Sequence, residues 1–250
     1  MSLAGNVEEV RRRIRRACAR AGRPASSVTL IAVTKGLPIE RIREAVALGL
    51  TEVGENRVQE AREKQTAVGR RPKAEGQRND SQIVRWHLIG HLQRNKSKLA
   101  AQLFDTIHSV DSLPLVAALE RAMGEMPHAQ PALDVLIQVN TSSEPTKSGC
   151  RPDQAIELAD AICRATRLRL AGLMTMAPFA SDPETARPCF RQLRKLRDAV
   201  AAASGLRPPA FGLSMGMSQD FEVAIEEGAD LIRVGTALFG AGALNEYDYR

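Results

Sequence analysis

Short runs of β-branched and apolar residues alternate with longer helical stretches along almost the whole chain, and that rhythm limits the folds open to it. The expected strands are Thr29–Thr34, Glu52–Val53, Trp86–Ile89, Thr106–Ser109, Val135–Val139, Leu168–Leu173, Ala210–Leu213 and Leu231–Val234. Between them, apolar spacing predicts helices at Ile39–Leu48, Arg57–Ala67, Lys96–Leu103, Leu113–Met123, Pro152–Ala165, Pro183–Ala203 and Phe221–Glu227. Strands separated by crossover-length helices build a parallel sheet. Eight such units in 250 residues fill one (β/α)8 barrel, with an extra helix at the N-terminus and almost nothing left over. A doubly wound open sheet is the alternative. It usually carries a Gly-rich dinucleotide turn after the first strand, and Val33-Thr34-Lys35-Gly36 is not one. The chain therefore reads as a single domain over 1–250. One stretch breaks the pattern: Gly69 to Gln82 has almost no apolar residue and is expected to be a mobile surface loop.

Composition narrows the function classes. Aromatics make up only 4% of the chain, with one Trp and two Tyr, too few for a platform that stacks nucleic-acid bases. The longest apolar runs fall short of a membrane span, and the start, Met1-Ser-Leu-Ala-Gly, lacks a signal-peptide pattern. A cytoplasmic protein that binds neither membrane nor nucleic acid is expected. The net charge of +6 is concentrated: residues 1–23 hold seven Arg against Glu8 and Glu9. Val7, Val10, Ile14, Ala17 and Ala21 recur at three- and four-residue spacing there, as a docked amphipathic helix with a solvated basic face requires. The other reading is an interaction module presented by that basic helix. Cys18, Cys150, Cys163 and Cys189 are scattered without metal-ligand spacing, so they read as ordinary, mostly buried thiols, with Cys150 the one to watch.

Active sites of such barrels sit at the C-terminal ends of the strands. Lys35 closes the apolar run Leu30–Val33. A lysine emerging from a barrel core is desolvated, which lowers its pKa and makes it a nucleophile toward carbonyls; the alternative is an amine reaching solvent at a strand end. The second strand runs into Gly54-Glu55-Asn56, the third contains His87 and runs into Gly90-His91, and the fourth delivers Ser109 and Asp111. The loops after strands seven and eight, Ser214–Ser218 and Gly235–Thr236, are rich in small and hydroxylated residues. Such loops bring backbone N–H groups close to a phosphate, or are simple turns. Ser218 is also placed to N-cap the helix that follows. A carbonyl-trapping lysine and a phosphate cradle in one mouth imply an aldehyde that carries a phosphate.

Two motifs mislead. Gly212-Leu-Ser214-Met-Gly216 matches the hydrolase nucleophile elbow, but the four histidines are His87, His91, His108 and His128, and none follows the serine as that fold's triad demands. His87 and His91 stand four apart, but they straddle a strand end and lack a third ligand, so no metal is expected.

Assembled, these residues resemble the pyridoxal phosphate homeostasis protein family. The likeness runs through Leu30-Ile-Ala-Val-Thr-Lys35, Val53-Gly-Glu-Asn-Arg-Val-Gln-Glu60, Trp86-His-Leu-Ile-Gly-His-Leu-Gln-Arg-Asn-Lys96, Asn140 to Gly149, Leu213–Ser218 and Ile232–Gly240. The resemblance implies a single barrel similar to that of alanine racemase, without its β domain, binding pyridoxal 5′-phosphate (PLP). It implies a Schiff base on Lys35, and phosphate contacts from Ser214, Gly235 and Thr236 with Met215 and Ser218. It further implies Arg233 at the pyridine nitrogen, Asn56 and His87 lining the pocket, and a secondary PLP-handling role for Lys147. Departures are modest: Gly36-Leu37 follow the lysine where many members are more polar, and Gly69–Gln82 looks like an insertion.

The resemblance also bears on catalysis. An arginine facing the pyridine nitrogen keeps it unprotonated and makes the ring a weaker electron sink. Related racemases tolerate that, because they place a lysine and a partner subunit's tyrosine on opposite faces of the substrate, and they carry an extra β domain. Here the last barrel element ends near Gly240, and the only tyrosines, Tyr247 and Tyr249, lie in the final ten residues. A non-catalytic carrier that buffers and delivers PLP, with PLP-dependent apoenzymes as recipients and a monomeric or weakly dimeric state, is therefore expected. The alternatives are a PLP enzyme with weak racemase-type activity and a cofactor-free Schiff-base aldolase.

Overall fold

The computed structural model describes residues 2–69, 84–127, 131–142, 144, 148–205 and 211–240. Eight strands are β1 Thr29–Val33, β2 Glu52–Glu55, β3 Arg85–Leu88, β4 Thr106–Val110, β5 Leu133–Gln138, β6 Leu168–Met174, β7 Gly212–Ser214 and β8 Leu231–Val234. They form a closed barrel in sequence order, every neighbouring pair parallel. β1 closes on β8 from Thr29 opposite Leu231 to Ala32 opposite Val234, which excludes the open sheet.

The helices are α1 Leu3–Arg20, α2 Ile39–Ala47, α3 Val58–Val68, α4 Ser97–Leu103, α5 Leu113–Gly124, α6 Ala155–Arg164, α7 Arg187–Ser204, α8 Phe221–Glu226 and α9 Thr236–Phe239. The four-residue α9 is too short for a periodic signal. Gly69 closes α3 as its C-cap, and the remainder of the expected 69–82 loop lies outside the described residues. So do Lys147, Tyr247 and Tyr249. No helix among the described residues is long and apolar enough to cross a membrane.

Ser2 caps α1 by accepting the Gly5 N–H at 3.2 Å, and Leu3, Val7, Val10, Ile14, Ala17 and Cys18 are buried. The helix packs on α8 and α9. Its basic face meets acids of α8: Arg13 donates to Glu222 at 2.7 Å and lies 4.5 Å above the Phe221 ring, and Arg20 donates to Glu226 at 2.6 Å; just past the helix, Arg23 donates to Asp230 at 2.9 Å. These pairs are half-exposed, so each contributes about 1 kcal/mol or less; together they explain the clustered arginines as a docking face.

Alternation along the strands divides the interior in two. Ala32, Val53, Trp86, Leu88, Leu213, Ile232 and Val234 belong to the large apolar cluster that also takes in the buried faces of the helices. Their strand neighbours point the other way, into the barrel. Ile31 and Ile89 meet there over Gly54, where a β-carbon would fall 2.9 Å from Ile31 and 3.1 Å from Ile89. Val33, Leu136 and Met174 are likewise buried outside that cluster, and the polar side chains interspersed with them build the site.

Candidate functional site

Lys35 leaves β1 two residues past Val33 and is only 6% exposed. Its backbone is gripped from both sides. Lys64 of α3 donates to the Thr34 carbonyl at 2.6 Å, to Glu55 at 2.8 Å and to Glu60 at 2.5 Å. Glu60 accepts the Gly36 N–H at 2.6 Å, and the Thr34 hydroxyl donates to Glu55. Gly36 has φ +69°, the left-handed region, so the chain turns immediately after the lysine. Glu55 is fully buried, and burial pushes its carboxyl up to about 7 although Lys64 and Thr34 pull the other way. Asn56 packs against Gly90, where a β-carbon would sit 2.4 Å from the Asn56 carbonyl oxygen.

A continuous line of polar side chains crosses the barrel. Arg233 of β8 donates to Ser214 Oγ at 2.7 Å and to the Thr175 carbonyl at 2.9 Å. Ser214 Oγ lies 2.9 Å from His108 Nδ1, His108 Nε2 lies 2.9 Å from His87 Nδ1, and His87 Nε2 lies 2.6 Å from Glu52 Oε2. The two rings meet edge to face, with centroids 5.1 Å apart. Burial holds His108 well below the ordinary histidine range, reinforced by His87 and Arg233. Burial lowers Arg233 to about 10, with Asp220 opposing it, which leaves it charged at neutral pH.

Ser218 performs a different task from the helix cap expected of it. The N-cap position of α8 is Asp220, whose carboxylate accepts the Met217 N–H at 2.6 Å. Ser218 Oγ instead accepts the N–H groups of Gly235 and Ala237, both at 3.2 Å. Gly216 at φ +93° makes this loop possible: a β-carbon would lie 2.6 Å from that of Ala224. Two backbone donors thus converge on the Ser218 hydroxyl oxygen, with half-buried Thr236 between them in the chain; clustered N–H and hydroxyl groups of this kind suit a phosphate.

The sequence-predicted residues therefore fall into three groups. Lys35 and Asn56 sit at the ends of β1 and β2; Ser214, His87 and Arg233 lie on one hydrogen-bonded line; Ser218, Gly235 and Thr236 come together where the loops after β7 and β8 meet. Met215 is fully buried, and its N–H is committed to the Leu231 carbonyl at 3.1 Å. Cys18, Cys150 and Cys189 are buried and Cys163 is exposed; burial raises the Cys150 thiol to about 12, which makes it inert. Sequence reading missed Glu52, His108, Thr175, Glu55, Glu60 and Lys64 as site residues. For His108 the available signal was a titratable residue in the middle of a buried strand, Thr-Ile-His-Ser-Val of β4; Glu60 and Lys64 lie on α3 and gave none. Ser214 and His108 do approach each other like a nucleophile and its base. The hydroxyl is fully buried, however, and its oxygen accepts a hydrogen bond from Arg233, which stabilises it against attack on a substrate carbonyl. No metal-ligand cluster occurs among the described residues.

The residues present fit PLP: an amine at the mouth for the aldehyde, donors for the phosphate, and a buried guanidinium. Comparison with known proteins agrees. The family model "Alanine racemase, N-terminal domain" matches residues 6–243. A curated relative from Aquifex aeolicus, named pyridoxal phosphate homeostasis protein, is 40% identical over 240 residues, 96% of this chain and 98% of the relative. One of the same name from Escherichia coli is 39% identical over 242 residues, covering 96% of each. Among solved structures, PipY of Synechococcus elongatus with PLP bound is 34% identical at a TM-score of 0.77, covering 96% of this chain and all of that one. Alanine racemase of Corynebacterium glutamicum, 18% identical with a TM-score of 0.66, shares the fold; 98% of this chain covers only 62% of that one. With identity of this level extending from α1 through the last strand, the chain belongs to the pyridoxal phosphate homeostasis protein family.

Proposed function

We propose that this protein binds PLP at the barrel mouth and acts as a carrier that buffers and delivers it, not as a catalyst. Lys35 condenses with the aldehyde, one water leaving as the Schiff base forms. The cradle of Ser218, Gly235 and Thr236 takes the phosphate, Asn56 lines the pocket, and Arg233 faces the ring nitrogen. PLP supplies an electron-withdrawing ring when bound; the protein decides how far that property is used. The structural observation that supports the carrier reading is the buried Arg233 guanidinium, taken with the sequence expectation that no acid opposes Lys35 as the tyrosine of the racemases does. It offers only N–H donors, so a ring nitrogen facing it accepts a hydrogen bond and stays unprotonated. The names of the curated relatives and the PLP-bound PipY support the ligand. Lys147 is proposed to guide the anionic cofactor in or out, and PLP-dependent apoenzymes to receive it.

The test is reduction of the PLP-loaded protein with borohydride, followed by peptide mapping. Label on the peptide containing Lys35 is expected; label on Lys147 or another lysine in its place would overturn the assignment.

A further inference from the structure

Hydrogen-bond polarity along the barrel line is not arbitrary. A guanidinium can only donate, so Ser214 Oγ must accept from Arg233. At the far end, Glu52 as a carboxylate can only accept, so His87 carries its proton on Nε2. A neutral His87 then accepts at Nδ1, which places the proton of His108 on Nε2. A neutral His108 accepts at Nδ1, and the Ser214 hydroxyl supplies that hydrogen. Every link is satisfied in one arrangement, running Arg233 to Ser214 to His108 to His87 to Glu52; the carboxylate end fixes its direction, and the arginine end is compatible with it because a serine oxygen accepts from the guanidinium while its hydrogen is donated onward.

The ends differ in place. Ser214 is the last residue of β7, at the mouth, whereas Glu52 is the first residue of β2. In a parallel barrel these lie at opposite ends. The Glu52 side chain is 22% exposed and is faced by His87 and, at 3.8 Å, by Arg85, which itself stands 3.9 Å from Asp134. His87 is faced by Glu52 and His108. His108 is faced by His87, Ser214 and Arg233; Arg233 is faced by Ser214, Thr175 and, electrostatically, Asp220.

We propose that Glu52, His87, His108 and Ser214 are positioning residues for Arg233, a hydrogen-bonded line of set polarity that pins the guanidinium at the mouth. Glu52, at the opposite end of the barrel, sets the direction. The proposal rests on the PLP reading for its meaning: a pinned guanidinium keeps N–H donors turned to the ring nitrogen. One added proton reverses the line. An imidazolium at His87 donates from Nδ1, His108 must then donate from its own Nδ1 to Ser214, and the serine hydrogen has to leave the line.

The experiment uses protein carrying 15N-labelled histidine, without PLP, at pH 8. Only four histidines need assigning. Neutral Nε2–H tautomers are expected at both His87 and His108; a proton on His108 Nδ1 would sink the proposal. Glu52→Lys puts a donor where the acceptor was, and both tautomers are expected to invert to Nδ1–H. If that variant does not fold, the wild-type tautomers alone decide. Adding PLP labelled at its ring nitrogen is expected to give different ring 15N positions for wild type and Glu52→Lys. An unchanged ring signal with inverted tautomers means the line does not act on Arg233 and overturns its positioning role. If no PLP binds to wild type, the ligand reading fails, and the tautomers still report on the line.

Discussion

Lys64 donates to the carbonyl of Thr34 at 2.6 Å, so a buried cation on α3 holds the peptide immediately before Lys35. The same amine bridges Glu55 and Glu60, and Glu60 holds the peptide immediately after it. The reactive amine thus stands on backbone clamped on both sides, independently of the barrel line that holds Arg233.

Replacing Lys64 by Met is expected to leave two carboxylates at the clamp without their cation. Removing one partner of a buried ion pair costs about 3–5 kcal/mol. Urea unfolding at pH 8 measures it; a loss below about 1 kcal/mol would mean that the clamp contributes little. The loss should shrink at pH 5.5, where Glu55 binds a proton.

The buried acid and the buried base give opposite pH signatures. Glu55 is raised to about 7 in the folded protein from 4.5, so the folded state binds more protons between those values. Its contribution is complete below pH 4.5 and is lost as pH rises through 7, by at most ~1.4 kcal/mol per pH unit. His108 is depressed from 6.5, so its contribution is present above pH 6.5 and is lost as pH falls below it. Unfolding curves from pH 5 to 8 are expected to show stability falling less steeply with rising pH in Glu55→Gln than in wild type. Identical slopes would place the Glu55 carboxyl in the ordinary range.

In the cradle, Ser218→Ala removes one hydroxyl and leaves the Gly235 and Ala237 N–H groups in place. PLP affinity is expected to fall roughly tenfold, the worth of one charge-assisted hydrogen bond, with borohydride labelling of Lys35 retained at saturation. Gly216→Ala strains the same loop, because φ is +93° and the new β-carbon meets Ala224 and Phe221. It should destabilise the fold by about 2–3 kcal/mol. Fluorescence titration and thermal unfolding separate the two effects.

Arg233 is the control point for chemistry. Wild-type protein loaded with PLP is expected to exchange the α-hydrogen of alanine with solvent deuterium no faster than free PLP. General acid–base catalysis is worth roughly 10²–10⁴-fold, and exchange of that size in wild type would make the protein an enzyme. Arg233→Glu, with a carboxylate to favour ring protonation, should exchange faster than wild type. Mass spectrometry of recovered alanine reads both.

Much of this was legible from residues alone, for identifiable reasons. The barrel was, because β-branched runs and helical spacing repeat eight times. The position of Lys35 at the strand end was, because it follows an apolar run; Arg233 entered only through the family resemblance. β2 was cut short at Val53: Gly54 and Glu55 read as a loop, yet Gly54 is the close approach of Ile31 and Ile89, and Glu55 is tolerated in the strand because Lys64 faces it. The line through His108 was not legible, because its members come from β2, β3, β4, β7 and β8. Only barrel closure makes them neighbours.

The inward and outward alternation described for β3 makes Trp86 and His87 chain neighbours with different kinds of mutational consequence. A change at Trp86 should register as lost cooperativity of unfolding; one at His87 should register in ligand spectra, with the fold left standing. Even- and odd-numbered positions of a single strand are in that sense separately heritable. A lineage can redraw the inner lattice of polar groups while the outer shell keeps the barrel closed. Libraries confined to the inward polar positions of β3 and β8, with Gly54 left unchanged, would sample new cofactor behaviour while the outer shell that closes the barrel is untouched.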